Sequence, residues 1–275
     1  MSIEYTNQDK ELLFKFMPLN LFSLQTIINN TLYFNKPDLL NDPLDCQFEI
    51  QISNLNNFSK KTVDFIKAKR SIWNQKLDSI FKNVMLYNNQ ELQKEFLTEF
   101  CRFDFNENHG ICSFSQSMND NLLWSHYANK AKGICIVFNK SELVNSINNR
   151  LEKSYYKLND DFVRYEGVKK LNFKLIKDNG FSYTNRHLYS KTRHWKYEKE
   201  YRIVLKKIYK DWYHLNYPYE FERIIEFSPE SIHSIILGEK IEPYDELLIN
   251  NIVQNMNLNI PLQKFSYELS KGTKK

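Results

Sequence analysis

The sequence contains an unbroken apolar run from Ile134 to Phe138, directly after Gly133. Short apolar runs bounded by a turn residue are typical of β-strands, and a strand without polar positions is buried on both faces of its sheet. The run therefore predicts a central strand. Its sheet is expected to be covered by other elements on both sides.

The other hydrophobic patterns predict more strands than helices. Gln47–Ile52 alternates polar and apolar residues, as a half-buried strand does. Further strands are predicted at Leu12–Phe16, Thr31–Phe34, Gly110–Ser115, Phe162–Tyr165, Tyr201–Leu205, Ile224–Phe227, Ser234–Leu237 and Pro261–Phe265. Helices are predicted at Leu21–Asn29, Leu122–Ala128, Ser141–Leu151 (with Ser141 as its cap) and Glu242–Met256. This order is not a regular βαβ alternation, so it predicts an α+β fold with a mixed or antiparallel central sheet flanked by helices.

The domain organisation is predicted from what interrupts these patterns. Helical spacing over about residues 59–103 indicates a helical insertion of two or three amphipathic helices. Internal repeats and Pro/Gly/Ser-rich linkers are absent from the sequence, which favours a single α+β domain over residues 1–269. Residues 270–275 are expected to form a flexible basic tail.

Composition and motifs argue against several classes of protein. The net charge of +5 is too mild to indicate nucleic-acid binding by itself, and the four cysteines form no CxxC pair. The sequence has no Walker loop, GxGxxG, HExxH or GxSxG motif, which disfavours kinases, Rossmann dehydrogenases, zincins and α/β-hydrolases. It has neither a signal-peptide pattern nor an apolar stretch of roughly 18 residues. We therefore expect a cytoplasmic protein without membrane partners.

The segment from Tyr197 to Arg202 is the best candidate for chemistry. On a strand, Glu198, Glu200 and Arg202 would project from one face. The arginine would offset the repulsion between the two carboxylates, and such a pair suits general-base work or the binding of ribose hydroxyls. The alternative is an exposed strand edge that carries solvated charges.

A second candidate is the helical segment Trp124-Ser125-His126-Tyr127, in which Trp124 and Tyr127 share one face. Trp124 is predicted as a core anchor, with a cofactor contact as the alternative. His126 suits a ligand contact or general acid/base chemistry. The other interpretation of His126 is a buried histidine whose ring is satisfied by a backbone carbonyl.

Several stretches, in this order, carry a resemblance to a known family: Asn41–Asp45, Cys112–Ser115, Leu123–Cys135, Tyr165, Lys191, Trp195, Glu198–Arg202 and Ile235–Gly238. Together they resemble a bacterial family of unknown function (domain of unknown function 2971). The resemblance covers roughly Leu12–Gly238. It implies a fold and a set of key positions, while the family itself has no assigned activity.

The order of elements is also similar to that of ADP-ribosyltransferases of the arginine–serine–glutamate type. These carry a basic residue on an early strand, Ser-x-Ser on a central strand and Glu-x-Glu on a late strand. Lys15, Ser113-x-Ser115 and Glu198-x-Glu200 match this order, with lysine in place of arginine. A lysine lacks the planar fork that grips a pyrophosphate twice.

The comparison implies NAD as a substrate and gives each residue a role. Glu200 would hold the nicotinamide-ribose hydroxyls and stabilise the oxocarbenium ion, and Glu198 would orient or deprotonate the acceptor. Ser113 would position the carboxylate. The catalytic candidates are therefore Glu200, Glu198 and His126, and the candidates for the NAD site are Lys15, Ser113, Ser115, Tyr127, Trp124 and Arg202. The partners implied are a nucleotide-type small molecule and a protein or nucleic-acid acceptor. A toxin or phage-defence role is a further expectation, and the oligomeric state is left open.

Two other functions remain as alternatives. Asp42 and Asp45 form a turn that could join Glu198 and Glu200 as oxygen ligands of Mg²⁺ in a metal-dependent nuclease. A non-catalytic module that senses a nucleotide or a protein is the other alternative. The basic and aromatic stretch from Lys191 to Lys196 suits phosphate binding and base stacking, or is a solvated helix end.

Overall fold

The computed structural model describes residues 11–51, 67, 73–87, 89–152, 154–167, 169–172, 174–176, 180–182, 185–207, 221–256 and 260–266. The strands are β1 Leu12–Met17, β2 Thr31–Tyr33, β3 Phe48–Gln51, β4 His109–Ser115, β5 Ile134–Asn139, β6 Tyr156–Phe162, β7 Arg164–Tyr165, β8 Lys169–Asn172, β9 Lys174–Ile176, β10 Gly180–Ser182, β11 Ser190–Lys191, β12 Glu200–Lys207, β13 Ile224–Glu226, β14 Ile232–Leu237 and β15 Leu262–Lys264. The α-helices are α1 Leu21–Ile28, α2 Gln75–Tyr87, α3 Gln90–Asn108, α4 Asn121–Tyr127, α5 Lys140–Leu151 and α6 Pro243–Asn255. Short 3₁₀ helices lie at Pro37–Leu39, Asn185–Tyr189, Arg193–Glu198 and Pro229–Ser231.

Seven strands form the main sheet, in the order β15-β14-β5-β1-β4-β12-β6. Its neighbours pair antiparallel, except that β14 and β15 are parallel at one edge. The described residues also form four two-stranded pairs, β2 with β13, β3 with β8, β7 with β11 and β9 with β10. The predicted α+β fold with a mixed sheet and flanking helices is confirmed.

The two faces of the sheet are packed differently. On one face, apolar side chains of β1, β4, β5, β12 and β14 form one continuous core with α1, α5 and α6. On the other face, the core divides into two clusters. One covers β4 and β12 with α2, α3 and β3, and the other covers β1, β5 and β14 with α4. The polar positions of β4 and β12 occur at this division.

Most predicted boundaries agree with the structure, with three differences. The strand predicted at Phe162–Tyr165 is the end of β6, which begins at Tyr156, followed by the short β7. Helix α5 has Asn139 rather than Ser141 at its N-cap. Within the predicted helical insertion, α2 and α3 are helical and α3 continues to Asn108, whereas residues 59–66 and 68–72 lie outside the described part, as do residues 270–275. The prediction of a single domain stays a prediction.

A gap between β1 and β4 interrupts the regular ladder of the sheet. In the described structure these strands pair only through Phe14 and Ser115, whereas β1 pairs with β5 along its whole length. Further along β4, Ile111 exchanges two backbone hydrogen bonds of 2.8 Å with Asn35 instead. The sheet therefore opens between β1 and β4, beside the division of the core.

Candidate functional site

A cavity of about 690 Å³ lies where β1 and β4 separate. This volume falls within the roughly 300–1,000 Å³ of small-molecule and cofactor sites. Its lining combines the two separated strands, α1 and α4, and polar residues next to β12; it includes Lys15, Asn41, Asp45, Ser113, Ser115, Tyr127, Lys191, Glu198 and Glu200. Three elements that are far apart in sequence, β1, β4 and the start of β12, thus contribute to one cavity.

The start of β12 carries the two glutamates, but only one of them is on the strand. Glu198 ends the 3₁₀ helix Arg193–Glu198, and Lys199 then adopts a left-handed conformation with φ 44°. Glu200 is the first residue of β12, and Arg202 follows on the same face because side chains alternate along a strand. The prediction that all three project from one strand is therefore wrong for Glu198. The alternative of an exposed edge is also wrong, because β12 lies between β4 and β6 and all three side chains are buried.

Arg202 joins Glu200 to Asp45. Its Nε donates to Glu200 Oε1 at 2.6 Å, and its Nη2 donates to Glu200 Oε2 at 3.1 Å. Its Nη1 and Nη2 also donate to the two Asp45 carboxylate oxygens, at 2.9 and 2.6 Å. Asp45 reaches this position from a turn closed by its own N–H, which donates to the Asp42 carbonyl at 2.9 Å. Arg202 is thus fixed by two carboxylates, and Glu200 is held in one orientation.

Lys191 is the second cation of the site, and it lies close to both Glu198 and Glu200. The Lys191 ammonium lies 2.7 Å from Glu198 Oε2, 3.4 Å from Glu200 Oε2 and 3.7 Å from Asp45 Oδ2. The cluster of Asp45, Lys191, Glu198, Glu200 and Arg202 therefore contains three carboxylates and two cations, all buried. We call it the buried charge cluster. Such a cluster is stable only with close pairing, because burial of an unpaired charge is costly.

The environment shifts the pKa values of the two glutamates in opposite directions. Burial would raise the pKa of Glu200, but Arg202 and Lys191 outweigh it, and with hydrogen bonds from Arg202 and Ser113 they lower this pKa to about 2. For Glu198, burial prevails over the opposing effects of Lys191 and Tyr127, so its pKa is raised. Two carboxyls whose pKa values are driven apart are suited to different roles, one as a permanent anion and one as a proton acceptor.

Tyr127 links Glu198 to Asn41, and all three residues line the cavity. Its hydroxyl donates a short hydrogen bond to Glu198 Oε1 and accepts one of 2.6 Å from Asn41 Nδ2. Burial and the neighbouring Glu198 raise the pKa of Tyr127, so the hydroxyl stays protonated and keeps donating. This contact fixes one oxygen of Glu198, while Lys191 holds the other.

Lys15 enters the cavity from the opposite face of the sheet. The alternation along β1 places it on the side of Leu13, whereas Ser113 and Glu200 lie on the other side. Its ammonium donates to the Ser113 carbonyl at 3.0 Å and lies 5.2 Å from the centre of the Phe114 ring. Lys15 thus reaches from β1 to the backbone of β4 and supplies a positive charge to the cavity lining.

Four of the candidate site residues do not serve the cavity as an NAD site would require. Trp124 is the core anchor that the sequence predicts and not the alternative cofactor contact: it does not line the cavity, is fully buried, stacks on Phe265 at 4.6 Å and donates to the Met118 carbonyl at 3.2 Å. Arg202 also lies behind the cavity wall, where it holds Glu200. His126 is exposed on α4 and outside the lining, so neither its catalytic role nor its burial as a core histidine agrees with the structure. Ser115 lines the cavity, but its hydroxyl donates to the Glu198 carbonyl at 2.7 Å and accepts from Ser117 N–H.

The local sequence patterns do not reveal the connecting role of Lys191 and Asp45. Lys191 belongs to a basic stretch, yet it is buried, while Arg193 and Lys196 from the same stretch are exposed. Asp45 was considered as a turn residue and a metal ligand, and it is the partner of Arg202. Asp45 and Lys191 both belong to the stretches that carry the family resemblance, and this was the signal in the sequence that could have marked them as site residues.

The acidic residues of the proposed nuclease alternative are already neutralised by cations. The ammonium of Lys191 and the guanidinium of Arg202 lie between Asp45, Glu198 and Glu200, in the positions that a metal ion would need. Asp42 is directed elsewhere and accepts hydrogen bonds from Leu44 N–H and the Thr192 hydroxyl. Among the described residues, no group of three or more His, Cys, Asp or Glu is arranged to hold a metal ion. The geometry lends the nuclease alternative no support.

Comparison with known proteins bears on this same part of the chain. Residues 123–203 match the model of a family described as "Protein of unknown function (DUF2971)". The resemblance seen in the sequence is thereby confirmed over this stretch. The match runs from α4 to β12 and includes Tyr127, Lys191, Glu198 and Glu200, while Lys15, Asp45 and Ser113 lie outside it. Comparisons with curated proteins and with solved structures gave no match.

Among the helices in the described part of the chain, none is both long and apolar enough to cross a membrane.

Proposed function

We propose that this protein is an NAD-consuming enzyme, an ADP-ribosyltransferase or NAD glycohydrolase. One observation carries the proposal. Lys15, Ser113 and Glu200, which match the arginine–serine–glutamate order, lie on the adjacent strands β1, β4 and β12, and all three line one cavity. Short motifs that match by chance have no reason to meet in space. Their meeting therefore supports a shared site.

Glu200 is suited to stabilise a cation. The bond between the nicotinamide nitrogen and ribose C1′ breaks, the electron pair leaves with nicotinamide, and the ribose becomes an oxocarbenium ion. A buried carboxylate with a pKa of about 2 stays ionised and stabilises this charge in a site of low dielectric. The longest contact of Glu200 in the buried charge cluster is that with Lys191, at 3.4 Å. We propose that a ribose hydroxyl replaces this contact, while Lys191 keeps its closer partner Glu198.

Glu198 is suited to accept the proton of the attacking group. A new bond forms between ribose C1′ and an oxygen or nitrogen of the acceptor or of water, and the released proton passes to Glu198. Its raised pKa makes Glu198 a stronger base than Glu200. Tyr127 and Lys191 fix its two oxygens and so orient it.

The rest of the cavity fits the remainder of NAD. Exposed apolar side chains of Phe22, Tyr33, Leu39 and Ile224 are also in the lining and offer aromatic and aliphatic contacts for an adenine ring. Lys15 also lines the cavity, and we propose that its ammonium binds the pyrophosphate. A lysine provides charge there without bidentate geometry.

The proposal is tested by incubating the purified protein with NAD and measuring free nicotinamide by chromatography. Release that continues in the presence of EDTA supports NAD cleavage without a metal. NAD binding in calorimetry without release would favour the sensing module instead. If the protein is also a toxin or a phage-defence protein, we expect cells that express the wild type to stop growing and cells that express the Glu200→Gln variant to grow normally.

Replacement of Tyr127 by phenylalanine is expected to change the pH dependence of NAD cleavage. The hydrogen bond from Tyr127 favours the ionised form of Glu198, so its loss raises the pKa of Glu198 further. Because Glu198 acts as a base, the rate falls as pH drops below its pKa. We therefore expect the acidic limb of the kcat profile to move to higher pH in Tyr127→Phe. An unchanged limb, or one displaced to lower pH, would contradict the role of Glu198.

Replacement of His126 by glutamine is expected to leave NAD cleavage within about twofold of the wild type. The imidazole is exposed and outside the cavity lining, with its ring centre 6.4 Å from those of Tyr127 and Tyr197, and substitutions of exposed side chains usually have small effects. Steady-state kinetics at neutral pH measure this. A loss of about 100-fold, the size expected for a general acid or base, would return His126 to the catalytic residues.

A further inference from the structure

The 3₁₀ helix Arg193–Glu198 presents two different sides. Side chains three apart are eclipsed in a 3₁₀ helix, so Trp195 and Glu198 share one side and Arg193 and Lys196 share another. Glu198 lines the cavity, and the Lys191 ammonium lies 2.7 Å from Glu198 and 4.6 Å from the centre of the Trp195 ring. Arg193 and Lys196 are exposed. Glu198, the proposed proton acceptor, and the cations Arg193 and Lys196 thus lie on neighbouring sides of one short helix.

Aromatic rings continue outward from Glu198. Trp195 and Tyr197 are only partly buried, with ring centres 6.0 Å apart. Lys199, exposed directly after the helix, adds a third exposed cation to this segment. We call the set Arg193, Trp195, Lys196, Tyr197 and Lys199 the acceptor surface.

The charge of the acceptor surface is positive. Glu198 is the acidic residue within the helix, and Lys191 neutralises it. Asp120 acts electrostatically on Tyr197, but its carboxylate caps α4 and accepts from Leu122 N–H at 2.8 Å. Cations interspersed with partly exposed aromatic rings are the features that bind the phosphates and stack the bases of single-stranded nucleic acids.

We propose that the acceptor of the ADP-ribosyl group is a single-stranded nucleic acid bound on the acceptor surface. This inference rests on the proposed function. A base stacked on Trp195 or Tyr197 would bring a nitrogen or oxygen to Glu198. That atom bonds to ribose C1′, the bond from C1′ to nicotinamide breaks, nicotinamide leaves with the electron pair, and the proton passes to Glu198.

The test measures binding of fluorescent single-stranded DNA and RNA, about 12 nucleotides long to suit such surfaces, by anisotropy without NAD. We expect the wild type to bind with an affinity that falls as salt rises. The Arg193→Gln/Lys196→Gln variant should reduce the slope of log affinity against log salt by about 1.4, or about 0.7 for each lost phosphate contact. Trp195→Ala should weaken binding about fivefold or more through lost stacking. Lys94→Gln, which removes one exposed lysine on α3, is the control for the loss of a single surface charge.

Transfer is measured in parallel with NAD labelled on its adenine. We expect label on the oligonucleotide with the wild type and much less with Arg193→Gln/Lys196→Gln. Absence of oligonucleotide binding by the wild type, binding by the double variant equal to that of Lys94→Gln, or label on protein alone would each overturn the inference. Nicotinamide release is read separately, so failure of the acceptor assignment is distinguished from failure of NAD cleavage.

Discussion

Replacement of Glu200 by glutamine is expected to lower the rate of nicotinamide release on the order of 100- to 1000-fold, the usual effect of removing one group that stabilises transition-state charge. The glutamine is nearly the same shape but carries no charge, so it cannot stabilise an oxocarbenium ion. Affinity for NAD is expected to change much less, because the ground-state ribose carries no positive charge at C1′. Steady-state kinetics with wild type and variant measure both quantities.

The matched control for this experiment is Glu152→Gln. Glu152 is exposed at the end of α5, so its replacement removes the same charge from the chain without touching the cavity. Circular dichroism must show that both variants are folded, since Glu200 also pairs with Arg202 inside the protein. Equal release by wild type and a folded Glu200→Gln variant would rule out Glu200 as the stabilising anion.

Replacement of Arg202 by glutamine is expected to destabilise the fold by about 3–5 kcal/mol, as removal of one partner from a buried ion pair does. Arg202 is completely buried and holds Asp45 and Glu200 with four hydrogen bonds. Without it, the cation left to these two carboxylates within the buried charge cluster is Lys191, at 3.7 and 3.4 Å. Urea unfolding at neutral pH measures the loss of free energy.

An exposed ion pair provides the control for Arg202. Arg164 lies 3.4 Å from Asp161, and both side chains are about half exposed. Such pairs contribute about 0–1 kcal/mol, so Arg164→Gln should change stability by less than about 1 kcal/mol. If Arg202→Gln were as small in effect as Arg164→Gln, the buried charge cluster would not hold the site together. A low stability combined with normal cleavage in the remaining folded protein would remove Arg202 as a positioning residue for Glu200.

The elements that could be predicted are those with a strong hydrophobic pattern. The run at Ile134–Phe138 became β5, an interior strand of the sheet, because a strand covered on both faces needs apolar residues at every position. The beginning of β6 was missed for the opposite reason. β6 lies at the edge of the sheet, and of its seven residues only Leu158 is buried, so its sequence carries almost no alternation.

The residue types of the site could be predicted from the sequence, but the contacts between their side chains could not. Ser113 and Glu200 stood out from local motifs, and their strands turned out to be adjacent. The pairing of Asp45 with Arg202 joins positions 157 residues apart, and no local spacing encodes such a contact. The position of Glu198 depended on the left-handed Lys199, which ends the 3₁₀ helix. A non-glycine residue in this conformation is set by tertiary packing rather than by propensity.

The measurement that tests the NAD site most directly is a crystal structure of the Glu200→Gln variant with NAD, in which slow cleavage keeps the dinucleotide intact. The proposal predicts NAD between β1 and β4. The nicotinamide ribose hydroxyls should lie within hydrogen-bond distance of the side chain at position 200, and the pyrophosphate near Lys15. NAD bound elsewhere, or a cavity still empty at saturating NAD, would contradict the proposal.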